Sequence, residues 1–113
     1  MKEIKAIIQP IMLGDVLHAL EHIETLPGVT VSQISGWGKG RARDAENVMV
    51  EDGHRMAKKT KIEVVVPEEL LTEVIEAISR AARTGRPGDG KIFVSHVEDT
   101  IKIRTGERGD QAV

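Results

Sequence analysis

The stretch Thr84–Val94, TGRPGDGKIFV, sets Gly85, four residues, then Gly90 and Lys91. That is the glycine and lysine spacing of a phosphate-binding P-loop. A P-loop also needs Ser or Thr after the lysine, to hold Mg²⁺, and a strand-to-helix context that aims backbone amides at phosphate. Here Ile92 follows the lysine, a helical pattern (PEELLTEVIEAISRAAR) precedes the loop, and a strand pattern (KIFVSHV) follows it. The context therefore excludes a P-loop. Glycines that turn N–H groups inward beside a lysine can cradle phosphate by another geometry. Taken alone, the loop favours a plain Gly-Pro turn.

A second segment changes the balance. Ile101-Lys102-Ile103-Arg104 alternates, so a strand over 101–104 is predicted, with Lys102 and Arg104 on one face. Arginine binds phosphate oxygens bidentately and lysine adds a point charge. A charge-guarded edge strand explains the pair by itself. Together with Lys91 and the glycine loop, it proposes one anionic pocket built from two segments. A third segment is Gly36-Trp37-Gly38-Lys39-Gly40. It is no dinucleotide fingerprint, because Arg41 takes the sixth position and no helix follows. Glycines at a strand end do allow close approach by a ligand.

The histidines give less. His18 and His22 are four apart on a helical pattern, off its apolar stripe, where a solvated face is the expected reading. His54 stands between Met49 and Met56, a combination suited to copper or zinc but too scattered for a motif.

The elements that must position these groups are readable from periodicity. A strand is predicted over 2–9 with Ile4, Ala6 and Ile8 on one face, and a helix over 13–24 carrying Leu13, Val16, Leu17, Leu20 and Ile23. A Leu-Pro-Gly turn at 26–28 leads to a strand over 29–35, with Val29, Val31 and Ile34 nearly in phase. From Gly36 to Lys59 no period holds, and a loop this long in a compact domain is usually functional. A strand over 60–66 follows, then a helix opened by Pro67-Glu68-Glu69 that buries Leu70, Leu71, Val74, Ile75 and Ile78. The strand over 91–97 completes β-α-β-loop-β-α-β, an α+β, ferredoxin-like βαββαβ pattern with a long loop between its second and third strands.

Bulk properties narrow the function classes. The 113 residues suit one domain, and a net charge of −2 gives no argument for nucleic acid or a membrane surface. Without Cys there is no disulfide framework, thiolate nucleophile or thiolate zinc site. No apolar run is long enough to cross a membrane, and the N-terminus does not read as a signal peptide, so a cytoplasmic protein is expected. One Trp, one Phe and no Tyr leave an aliphatic core. A domain with such a core often gains stability by oligomerising.

Across the whole chain the sequence resembles the PII signal-transduction family, trimeric nitrogen and energy sensors. The matching runs are KEIKAIIQP, VTVSQISGWG, KIEVVV, AARTGRPGDGKIFV and IKIRTGERG. The resemblance implies a single PII-like domain over 1–113, forming a homotrimer that binds ATP and ADP between subunits and admits Mg²⁺ beside them. It identifies 84–91 with the family's phosphate-wrapping B-loop, 38–59 with its target-binding T-loop, and 101–113 with its C-terminal segment. Gly88, Asp89, Gly90 and Lys91 would hold phosphates, and Lys102 and Arg104 would close on them from the neighbouring subunit. Thr30, Gly36, Trp37, Gly38, Glu63 and Val65 would line the adenine and ribose end. Lys39, Gly40, Arg41 and Lys59 would serve the effector or partner loop.

The chain also departs from the family. Position 102 is Lys where the family commonly has Arg. Gly40 stands where the family has the glutamine that helps bind 2-oxoglutarate. Asp52 replaces the uridylylated tyrosine, and Val50 replaces a serine phosphorylated in some members. The resemblance thus implies a divergent regulatory protein, not an enzyme. It would control a target protein (a transporter, enzyme or regulator) without contacting nucleic acid or entering the membrane. Two alternatives stand beside it: a metal-responsive regulator linked to metal transport, and a slow ATPase using Asp89 or Glu63.

Overall fold

The computed structural model describes residues 1–37, 48–51 and 53–113, with the backbone alone at 48, 49 and 51. The chain order is β1 (Lys2–Ile8), α1 (Leu13–Glu21), β2 (Thr30–Gly36), β3 (Val48–Glu51), β4 (His54–Val66), α2 (Leu71–Ala82) and β5 (Gly90–His96). The four long strands form an antiparallel sheet in the order β2-β4-β1-β5, and β3 pairs with β4. With both helices on one face, this is an α+β, ferredoxin-like fold.

Alternation builds the buried face. Ile4, Ala6 and Ile8 of β1 and Ile62, Val64 and Val66 of β4 point the same way and are buried, as the two-residue period of a strand requires. Val16 and Leu20 of α1 and Val74, Ile78 and Ala82 of α2 cover them. Leu70, Leu71 and Ile75 pack around this core half-buried. Thr60 is the polar residue buried among the described ones, and its hydroxyl donates to Gln33 Oε1 at 2.9 Å. The helices leave the other face of the sheet open. It carries Thr30, Ser32 and Ile34 of β2, Lys59, Lys61 and Glu63 of β4, Lys5 and Ile7 of β1, and Lys91 and Phe93 of β5.

Several boundaries differ from the sequence reading. The first helix ends at Glu21 rather than residue 24, after a 3-10 turn over Pro10–Met12. The second begins as a 3-10 turn over Glu68–Leu70 and becomes α-helical at Leu71. Val31 and Ile34 fall on opposite faces, paired with Ile62 and Lys59.

The largest change concerns 36–59. β4 starts at His54, six residues before the predicted strand, and its first turns of ladder pair with β3. Ala57 is paired on both sides, to Gly36 of β2 and Val48 of β3. The register Glu51↔His54 leaves two residues between the strands, and Gly53 takes a positive φ of 76°. Asp-Gly between two paired strands is a strong hairpin signal. The charge around it hid the alternation.

Candidate functional site

The glycine loop is organised by one carboxylate. Asp89 Oδ2 accepts the backbone N–H groups of Thr84 at 2.8 Å and Gly85 at 2.9 Å, and Asp89 Oδ1 accepts the Thr84 hydroxyl. The Thr84 hydroxyl oxygen also accepts the Arg86 N–H at 3.2 Å. The Thr84 hydroxyl, then the Thr84 and Gly85 amides and the charge of Lys59, hold the Asp89 carboxyl below its usual range against a partial burial penalty. With its acceptor sites occupied in this way, Asp89 shapes the loop and has little left for general-base work.

Gly90 is required by close approach. Its φ is 105°, and a Cβ there would sit 1.7 Å from the Ile7 carbonyl oxygen. It opens β5 opposite Ile8, and the next pair, Ile7↔Lys91, sets Lys91 on the open face of the sheet.

Of the predicted phosphate and effector residues, Gly88, Gly90, Lys91 and Lys59 meet on that face. A cavity of about 410 Å³ is lined by Gly36, Lys59, Gly88, Gly90 and Lys91, with Ile7, Ile34, Ala57 and Phe93 supplying apolar walls. Lys59 Nζ donates to the Gly88 carbonyl at 2.5 Å, tying β4 to the loop. The side-chain amide of Gln9 lies 3.1 Å from where a Cβ on Gly88 would stand.

Thr30, Glu63 and Val65 are elsewhere. They line a second cavity of about 320 Å³ with Glu3, Pro27 and Gly28. Thr30 pairs with Glu63 across β2 and β4, and Lys61 Nζ lies 3.5 Å from Glu63 Oε1. Lys59 and Val65 are six residues apart on β4, about 20 Å at strand rise. One chain therefore does not bring the two groups of predicted residues together.

The predicted strand over 101–104 is a turn. Ile101 bridges to Arg108, the Lys102 N–H donates to the Glu107 carbonyl at 2.9 Å, and the Gly106 N–H donates to the Lys102 carbonyl at 2.7 Å. The reversal at Thr105-Gly106 returns the chain on itself, so Lys102 and Arg104 do not lie on one face of a strand. Lys102 is half-buried, with Nζ 3.9 Å from Glu107 Oε1, while Arg104 is exposed near the tip. Ile103 at that tip is 98 % exposed.

Gly38, Lys39, Gly40 and Arg41 lie outside the described residues, as does Asp52. Trp37, 54 % exposed, meets His54 edge to face with ring centroids 5.3 Å apart. His18 and His22 make a similar contact at 5.0 Å, and His22 Nδ1 bonds the His18 carbonyl at 2.9 Å. Among the described residues, no three His, Asp or Glu side chains converge as metal ligands. Sequence reasoning missed Thr84, Gln9 and Glu107. Thr84 had a signal, since a hydroxyl and a carboxylate five residues apart bracket the loop. Gln9 and Glu107 had none beyond their polarity.

Comparison with known proteins decides the family. The profile described as "Nitrogen regulatory protein P-II" matches residues 1–107. The chain belongs to the P-II family. It is 47 % identical to the nitrogen regulatory protein P-II of Bradyrhizobium diazoefficiens, 43 % identical to that of Haemophilus influenzae, and 41 % identical to nitrogen regulatory protein P-II 1 of Escherichia coli K12. Each match covers all of both chains. The P-II relatives are named as regulatory proteins. No described helix is long and apolar enough to cross a membrane.

Proposed function

We propose that this P-II family protein is a nitrogen-regulatory adenylate sensor. It binds ATP and ADP, with Mg²⁺ where the phosphates recruit it, in clefts completed by further copies of the chain. The nucleotide state sets the conformation of the 38–59 arm, which engages a target protein.

The observation that carries this reading is the division of the predicted residues between two cavities on one sheet face. The loop residues Gly88, Gly90 and Lys91 gather with Lys59 and Gly36 at one end, and Thr30, Glu63 and Val65 at the other. A second copy can set one end of its sheet against the opposite end of its neighbour's, which a homotrimer does three times. Arg104 and the fully exposed Ile103 then reach across from the C-terminal turn. The difference between ATP and ADP acts on the arm only through unequal affinity for its conformations. Hydrolysis is not needed, and the engagement of Asp89 by Thr84 and Gly85 argues against it.

The test is a titration of Trp37 fluorescence, backed by calorimetry, with ATP and ADP on the full chain and on the Lys91→Ala/Arg104→Ala variant. Sedimentation gives the oligomeric state. Saturable binding by a trimer, lost in the variant, is the expected result. A monomer, or a chain silent to both nucleotides in calorimetry, overturns it.

One observation favours a metal-responsive reading as second. The backbone register sets Met49 opposite Met56 and Glu51 opposite His54, placing soft and imidazole donor types on alternate rungs of one hairpin. Quenching of Trp37 by Cu⁺ or Ag⁺ at stoichiometric concentration, lost in His54→Ala, would support it. Absence of quenching would remove it.

A further inference from the structure

The C-terminal turn presents a cation and its own carboxylate competitor. Lys102 is the residue among the proposed phosphate-binding cations Lys91, Lys102 and Arg104 that has an ion-pair partner within the described residues, and that partner is Glu107. Their charged atoms are 3.9 Å apart, at 40 % and 46 % side-chain exposure. The pairing is set by the fold of the turn. The Lys102 N–H bonds the Glu107 carbonyl at 2.9 Å, which fixes the two residues opposite each other. The Thr105 hydroxyl then accepts the Glu107 N–H at 3.2 Å and lies 3.5 Å from Glu107 Oε1, directing the carboxylate back across the turn. Asp99, three residues before Lys102, is engaged by Arg108.

We propose that Glu107 competes with bound phosphate for Lys102 and so narrows the preference of the site for the more highly charged nucleotide. This rests on the nucleotide-binding reading above. A phosphate group drawn to Lys102 must share the ammonium with Glu107 and remain close to its negative charge. Repulsion grows with the charge on the ligand, so Glu107 opposes ATP more than ADP. A lysine at 102 makes the competition effective, because it offers a single point charge that the Glu107 carboxylate already partly neutralises.

The experiment is calorimetric titration of ATP and ADP into the full chain and the Glu107→Gln, Lys102→Met and doubly substituted variants, at low and high salt. Glutamine keeps the shape of the turn and its backbone bond while removing the charge, and a thermal melt checks each fold. Glu107→Gln is expected to tighten ATP about threefold to tenfold and ADP less, with the gain shrinking as salt screens it. In the Lys102→Met background the gain is expected to vanish. Equal or weaker ATP binding by Glu107→Gln in a wild-type chain that binds nucleotide overturns this inference and leaves the nucleotide reading standing. Weaker binding would make Glu107 a positioning residue for Lys102. A gain that persists undiminished in Lys102→Met also overturns it, since Glu107 would then act without Lys102. If neither the wild type nor Glu107→Gln binds nucleotide, both readings fall together.

Discussion

Lys59 Nζ donates to the carbonyl of Gly88 at 2.5 Å, across twenty-nine residues of sequence. The bond joins the strand that continues into the hairpin, β4, to the glycine loop that forms the floor of the larger cavity. An anion bound at Lys59 in that cavity would compete with the Gly88 carbonyl for the ammonium, so β4 and the glycine loop are physically linked at this point. Lys59→Met is expected to speed hydrogen exchange at the 85–90 amides severalfold while shifting the thermal midpoint little. The contact is exposed, and exposed charged contacts contribute at most about 1 kcal/mol. Unchanged exchange at these amides would show that Lys59 does not hold the loop.

Gly90→Ala and Gly85→Ala separate steric contact from backbone strain. Both glycines have positive φ, but only at Gly90 would the new Cβ strike the main chain, 1.7 Å from the Ile7 oxygen, whereas Gly85 faces open space. Gly85→Ala is expected to cost about 1 kcal/mol, the strain of a left-handed alanine. Gly90→Ala should cost on the order of 3 kcal/mol or more, because β5 must also separate from β1 at that end. Urea unfolding of the two variants measures the difference, and equal losses would refute the close approach.

The carboxyl of Asp89 should titrate below an ordinary aspartate, since the Thr84 hydroxyl and the Thr84 and Gly85 amides stabilise its anion. The folded pKa is depressed, so Asp89 contributes stability above its unfolded pKa near 3.8 and loses that contribution as pH falls through the lower folded value. A carbon-detected NMR titration of the side chain should show the low midpoint in the wild type and a return toward normal in Thr84→Val. A midpoint unaffected by Thr84→Val would assign the shift to another cause.

Ile78→Ala should destabilise the chain by about 2–5 kcal/mol, the range for a buried aliphatic truncation that leaves a cavity. Ile78 is fully buried in the contact between α2 and the sheet, where the core has no large aromatic side chain available to fill the space. A loss under 1 kcal/mol in denaturant melts would mean that the aliphatic core collapses around the gap.

The α+β order and the buried face are written in local residue patterns. Ile4, Ala6 and Ile8 repeat at two, and Val16, Leu20, Val74 and Ile78 recur at helical spacing, and such periods are local properties of the chain. The sequence also identified the glycine loop as special, because Gly90 and Lys91 follow a helix and open a strand. The early start of β4 was less legible. Pairing of Glu51 with His54 is a long-range property of two short, charged strands, although the Asp-Gly between them carried the signal. The strand predicted over 101–104 failed for the opposite reason. Ile-Lys-Ile-Arg alternates as a strand would, yet the backbone bonds of Lys102 to Glu107 and Gly106 close it into a turn. How the candidate site residues divide between two cavities depends on long-range strand pairing. Lys59, Gly88 and Lys91 converge because β4 and β5 flank β1 in the sheet, while Thr30, Glu63 and Val65 stay at the far end of β2 and β4. Sequence spacing cannot convey that separation, because which strands become neighbours, and in what register, is set by burial of one face of the whole sheet.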